Sequence, residues 1–152
     1  MAESLSTRAE RLAFNLFPCW RGTGARVTYI ASDHREMRVK LSLSWRTRNY
    51  VGTIFGGSLY AATDPPLMIM LMKNLGEEYV VWDKAANIRF LKPGRSTLYA
   101  RFVITEEDLE SIRKEAAEKK SLDRIFRIEL ADKDGVVHAE VDKTIYIRRK
   151  SR

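Results

Sequence analysis

From Met37 the chain alternates: Met37, Val39, Leu41, Leu43 and Trp45 are apolar, and Arg38, Lys40, Ser42, Ser44 and Arg46 between them are polar. A period of two sends neighbouring side chains to opposite faces, so this segment predicts a half-buried β-strand. A shorter alternation precedes it, with Val27, Tyr29 and Ala31 set against Arg26, Thr28 and Ile30. The polar Ser32, Asp33 and His34 between the two read as a turn. Upstream, Leu5, Ala9, Leu12, Ala13 and Leu16 recur at helical spacing behind Ser4 or Ser6 as N-cap, which predicts a leading helix within residues 1–17. Strand patterns return at residues 79–91 and 96–104, joined by a turn with the Pro93-Gly94 pair, and at residues 122–131 and 136–147, which flank a hairpin signal ending in Gly135. Residues 105–120 read as a charged, solvent-facing helical insertion. They open with a capping box, Thr105 and Asp108, and carry one narrow apolar stripe, Leu109, Ile112 and Ala116.

One stretch breaks the amphipathic rule. Residues 56–75 are apolar nearly all round, long enough for about 30 Å of helix, and Gly76 is placed to cap the end. Such a helix belongs inside a protein. Asp64, Pro65 and Pro66 interrupt it. A residue before proline avoids the helical region and proline suits a first helical position, so two helical pieces should meet at Asp64. Asp64 then has two readings, as N-cap of the second piece or as a functional carboxylate set in an apolar run. The order of helix, two strands, central helix and four strands with an insertion predicts an α+β fold. A curved antiparallel sheet would wrap the long helix, and a second copy could cover what stays open.

Composition narrows the classes. A chain of 152 residues is expected to form one domain, residues 1–152, with room for a real core. Hydrophobic residues at 45% and charged residues at 31% exclude a disordered chain. The apolar run is too interrupted to span a bilayer, and the first residues hold no continuous apolar segment of a secretory signal. With the single Cys19, this makes the cytoplasm the expected location, and no membrane partner is expected. The net charge of +7 is spread along the strands except in a basic tail, residues 148–152, which reads as solvated. A diffuse positive field could attract a phosphorylated small molecule as well as nucleic acid, and charge alone does not choose; nucleic acid is the weaker expectation because the charges do not cluster. No metal is expected: His34, His138 and Cys19 lack any zinc-ligand spacing. Ser58 has no nucleophile-elbow pattern, and no phosphate-loop or dinucleotide fingerprint is present.

The stretch NYVGTIFGGSLYAATD, with Asn49, Gly52, Gly56, Gly57 and Asp64, resembles the active-site segment of hotdog-fold thioesterases of the phenylacetyl-CoA thioesterase type. AANIRFLKPGR is similar to that family's Asn-Ile strand and its Pro-Gly loop. Closer still is the resemblance to an uncharacterised hotdog subgroup with TIFGGSLY, a following Asp-Pro and VWDKAA. The likeness spans roughly residues 25–147. It departs from the thioesterases at Phe55, where many have His, and at the Pro-Pro after Asp64. The resemblance implies hydrolysis of an acyl-CoA or acyl-carrier thioester by a homodimer or a dimer of dimers. No resident cofactor is implied, since coenzyme A enters as part of the substrate. Gly56 N–H would polarise the carbonyl, and Asp64 from the facing subunit would act as base or nucleophile. Asn49, its side chain uncommitted, would help to orient, unless it is an ordinary turn residue. Phe55 and Gly57 would border the substrate. Asp83 and Asn87 lie where the family places a water-orienting side chain, an ion pair being the alternative for Asp83. Lys92 and Arg95 would meet the cofactor phosphates, or be plain turn charges. Leu67, Met68, Met70 and Leu71 would line an acyl pocket or simply be core. Phe55 in place of His also leaves open a non-catalytic acyl-ligand binding module.

Overall fold

The structure is a computed structural model that describes residues 2–150. Arg152 of the basic tail lies outside the described residues. Helix α1 (Leu5–Leu16) leads into α2 (Pro18–Thr23) and the strands β1 (Ala25–Ile30) and β2 (Glu36–Leu41). Helices α3 (Gly56–Ala61) and α4 (Pro66–Leu75) cross over to β3 (Tyr79–Phe90) and β4 (Leu98–Val103). Helix α5 (Glu106–Glu118), β5 (Leu122–Ala131) and β6 (Val137–Arg149) complete the chain. The six strands form one antiparallel sheet in the order β1-β2-β4-β5-β6-β3, so β1 and β3 are its edges.

The core lies between one face of this curved sheet and the central helix. Met37, Val39 and Leu41 of β2, Leu98, Ala100 and Phe102 of β4, and Val141, Ile145 and Ile147 of β6 turn inward. They meet Leu67, Met70, Leu71 and Leu75 of α4. This is the curved sheet around a helix that the strand patterns and the all-round apolar helix lead one to expect, and the α+β hotdog fold that the resemblance implies. The narrow stripe of α5, Leu109, Ile112 and Ala116, is also buried, while the charged face of that helix stays in solvent.

Four local differences have physical causes. The register of β1 on β2 slips between Val27 and Tyr29, and this bulge turns Ile30 inward where simple alternation places Tyr29. Strand β2 ends at Leu41, and the next segment closes on itself: Thr47 Oγ1 donates to Ser42 O (2.7 Å) and accepts from Ser44 N (2.9 Å). Trp45 therefore lies 84% exposed. Helix α2 was not anticipated, although Pro18 starts it and Gly24, at φ +83°, ends it. The central helix does break in two, but Asp64 is not the cap: α4 starts from Pro65 with no side-chain cap bond. The Asp64 carboxylate is occupied elsewhere.

Candidate functional site

Along β6, Ala139, Val141, Ile145 and Ile147 all face the core, and Lys143 falls on the same face. Its side chain is 1% exposed. An ammonium taken out of water needs charge partners and acceptors, or it gives up its proton. Lys143 Nζ donates to Asp64 Oδ1 at 2.9 Å, lies 3.2 Å from Asp83 Oδ2 and stands 5.2 Å over the Tyr60 ring. Asp64 arrives from the α3–α4 junction. Asp83 arrives from β3, the neighbour of β6, just before a one-residue slip of register between Asp83 and Ala85. A bulge of this kind re-aims side chains and bends the strand. The carboxylate in the apolar run is thus one member of a Lys143–Asp64–Asp83 cluster.

Two carboxylates facing one ammonium cannot both ionise freely. The hydrogen bond to Asp83, followed by the bond and charge of Lys143, holds Asp64 below its usual range despite the opposing effect of burial. Burial, then the hydrogen bond with Asp64, pushes Asp83 up to about 6. Asp83 Oδ1 is buried without a hydrogen-bond partner, which adds to the cost of ionising that carboxyl. Burial works against the charge of Lys143, but the two carboxylates outweigh it and its pKa is raised. The Asp64 side chain remains 44% exposed. It opens onto a cleft of about 580 Å³ whose walls include Phe14, Phe17, Trp20, Pro65 and Ile69. An ionised carboxylate on an apolar wall, held by an ammonium behind it, can take a proton from water or attack an electrophilic carbon.

The other candidate residues gather elsewhere. Gly56 opens α3, where N–H groups have no intrahelical acceptor, and lines a separate cleft of about 310 Å³ with Asn49, Phe90, Lys92 and Pro93. A Cβ on Gly56 would stand 3.1 Å from the Phe90 ring. The ring of Phe55 lies over Gly57, in the place a Cβ there would need. Asn49 is not uncommitted: its Oδ1 accepts from Val51 N (3.1 Å) and Thr53 N (3.0 Å), and its Nδ2 donates to Thr53 Oγ1 (2.9 Å). It ties the loop that presents Gly56 through both Oδ1 bonds and one of the two Nδ2 hydrogens. Asn87 sits exposed on edge strand β3, and Arg95 is exposed beyond the lining of the Gly56 cleft. Of the suggested acyl-pocket residues, Leu67, Met70 and Leu71 are core. The apolar cleft beside Asp64 is built instead from Ile69 and from α1 and α2. Lys143, Tyr60 and the α1–α2 wall went unnoticed in the sequence. A lysine in register with four inward apolar positions of β6 was the available signal. His34 pairs with Glu10, and His138 with Asp132 and Pro93 O. Among the described residues no group of three or more His, Cys, Asp or Glu could hold a metal, and no helix is long and apolar enough to cross a membrane.

A family model described as a domain of unknown function, DUF4442, matches residues 6–147. No curated protein matches by sequence. Among solved structures, a protein of unknown function from Pseudomonas aeruginosa, described as a probable thioesterase, is 17% identical with a TM-score of 0.85, over 97% of this chain and 99% of that one. A protein of unknown function from Chlorobaculum tepidum is 14% identical with a TM-score of 0.73, over 95% of each chain. A thioesterase from Haemophilus influenzae is 13% identical with a TM-score of 0.68, over 98% of this chain and 93% of that one. At these identities the likeness is one of fold.

Proposed function

The chain belongs to the DUF4442 domain family, and from that premise we propose that it hydrolyses an acyl thioester, with Asp64 as the activating carboxylate. One observation carries the reading: Asp64 is held in its ionised form by Asp83 and Lys143 while its side chain, 44% exposed, lines an apolar cleft suited to an acyl chain. Asp64 takes a proton from water, and the water oxygen bonds to the thioester carbon. The C–S bond then breaks, and the leaving thiolate takes the proton back from Asp64. The products are a carboxylic acid and a thiol. The family resemblance supplies the carbonyl-polarising group, Gly56 N–H. Gly56 lines a different cleft of the same chain from Asp64, which supports a site completed by the Gly56 turn of a second copy. The thiol carrier in this reading is coenzyme A, with a carrier protein as the other source of the same thioester.

A second reading, acyl-ligand binding without turnover, is favoured by one feature: the Phe55 ring lies over Gly57 where many relatives of this fold have a His. Thiol release from a panel of acyl-CoAs separates the two. The hydrolase reading expects turnover by wild type and a loss of about a hundredfold or more for Asp64→Asn, the scale of removing a general base. Equal, background-level thiol release by both proteins sinks it, and saturable acyl-CoA binding in that case establishes the second reading.

A further inference from the structure

Beside α2, in a cleft separate from that of Asp64, the sheet places like charges face to face. Arg26 of β1 and Lys40 of β2 are register partners. Their sequence neighbours Ala25, Val27, Val39 and Leu41 are buried, so both cations leave the outer face together. Directly opposed like charges destabilise a strand pair. Arg21, in the last turn of α2, and Arg46, in the loop after β2, close around them over a cleft of about 300 Å³. Ser42 and Ser44 add hydroxyls to its wall, and no carboxylate lines it.

Many arginines elsewhere are neutralised, and the cations left unpaired elsewhere among the described residues, such as Lys92, Arg95 and Lys114, do not line this cleft. Arg35, Arg38, Arg89, Arg101, Arg124 and Arg127 each lie on an Asp or Glu. Among the described residues, Arg21, Arg26, Lys40 and Arg46 have no ion-pair partner; Arg46 only stacks over Trp45, 5.8 Å from the ring centre. Four concentrated, uncompensated cations raise the local potential and cost stability unless an anion neutralises them. Guanidinium forks and hydroxyls match phosphate oxygens in geometry and charge. The concavity has the volume of a small-molecule site and lacks the open stripe a nucleic acid backbone needs.

We infer that this cleft binds the phosphate groups of a small phosphorylated ligand, for which inorganic pyrophosphate is the simplest probe. Two sources share that chemistry: a free nucleotide, or the phosphorylated handle of a thioester carrier such as coenzyme A. The second is sterically sensible because Trp20 and Thr23 of α2 line the Asp64 cleft, whereas Arg21 and the adjoining Gly24 line this one. The inference does not depend on hydrolysis, since binding is read without turnover.

The test is calorimetric titration of the full chain with pyrophosphate, ADP and coenzyme A at low and physiological salt. Saturable binding of pyrophosphate is expected, weakening as salt rises. The double variant Arg26→Gln/Lys40→Gln should bind about tenfold more weakly or worse, as expected for losing two charge-assisted contacts. Its melting temperature should equal or exceed that of wild type, because the opposed charges are gone. Lys114→Gln, exposed on α5, should bind as wild type does. Coenzyme A binding more tightly than ADP, with the same loss in the double variant, identifies the carrier handle; equal affinities identify a free nucleotide. The inference is overturned by absence of saturable pyrophosphate binding, or by equal weakening in Lys114→Gln and the double variant. It is likewise overturned if the basic face binds only an oligonucleotide that pyrophosphate does not displace.

Discussion

Lys143→Met keeps most of the buried stem and removes the ammonium, so it isolates the charge that anchors Asp64. In the native chain that ammonium is 2.9 Å from Asp64 and 3.2 Å from Asp83. Breaking a buried ion pair by deleting one partner costs about 3–5 kcal/mol. Asp64 is 44% exposed, and water will screen much of its share, so the cost falls mainly on Asp83, at 18% exposed. The expected loss at pH 8 is therefore near the low end, about 3 kcal/mol. Its pH dependence has a definite sign. Asp83 is already raised to about 6, so the native state binds its proton more tightly than the unfolded state, and this contribution to stability is lost as pH rises towards that value. Without Lys143 both carboxylates move upward, and the folded variant loses stability as pH rises through their pKa values. In wild type Asp64 is lowered, so its contribution is present above the ordinary Asp range and disappears as pH falls. The gap between the two proteins must therefore widen from pH 5 to pH 8. Urea denaturation at both pH values measures it, with about 3 kcal/mol expected at pH 8 and less than half of that at pH 5. An identical deficit at the two pH values would refute the reasoning and reduce Lys143 to its packing.

The remaining predictions concern the walls and the proton. Gly24→Ala places a Cβ at φ +83° against the side chain of Thr47, which is itself 1% exposed, and should destabilise by about 2 kcal/mol or more in a denaturant titration. A wild-type melting curve in that variant would show that the α2–β1 turn can relax. If the thioesterase reading holds, kcat/KM should rise through an inflection near pH 6, as ionising Asp83 makes Asp64 the stronger base. Asp83→Asn should abolish that inflection; its survival would assign it to another group.

How much of this was legible follows from the range of each interaction. The period-two run of β2, the later strand patterns and the all-round apolar helix are local patterns, and they led to an α+β fold with a curved sheet around a helix; the hotdog assignment came from the resemblance. The bulge that exchanges Tyr29 for Ile30 is set by pairing with β2 and leaves no mark within β1. Asn49 read as uncommitted because its acceptors and donors are backbone and hydroxyl groups of its own turn, visible only once the loop closes. Asp64 stood out as a carboxylate in the wrong company, but its partner Lys143 is 79 residues away on β6. Lys143 alone looked like one more charge in a basic chain. Only the register of β6 against β3, together with the break in the central helix, brings the three side chains to one point.

The claim that the Asp64 carboxylate of one copy serves a carbonyl docked on the Gly56 turn of another is tested most directly by mixing two dead proteins. Asp64→Asn removes the carboxylate, and Gly56→Pro removes the amide hydrogen at a first helical position whose backbone suits proline, the Phe90 ring shifting by a few tenths of an ångström to admit the ring carbons. Unfolded together in equal amounts and refolded, they should form mixed dimers in which one of the two sites is intact, and recover about a quarter of the wild-type thiol release by the statistics of random pairing. Recovery no greater than the sum of the two variants refolded separately would contradict a site shared between copies.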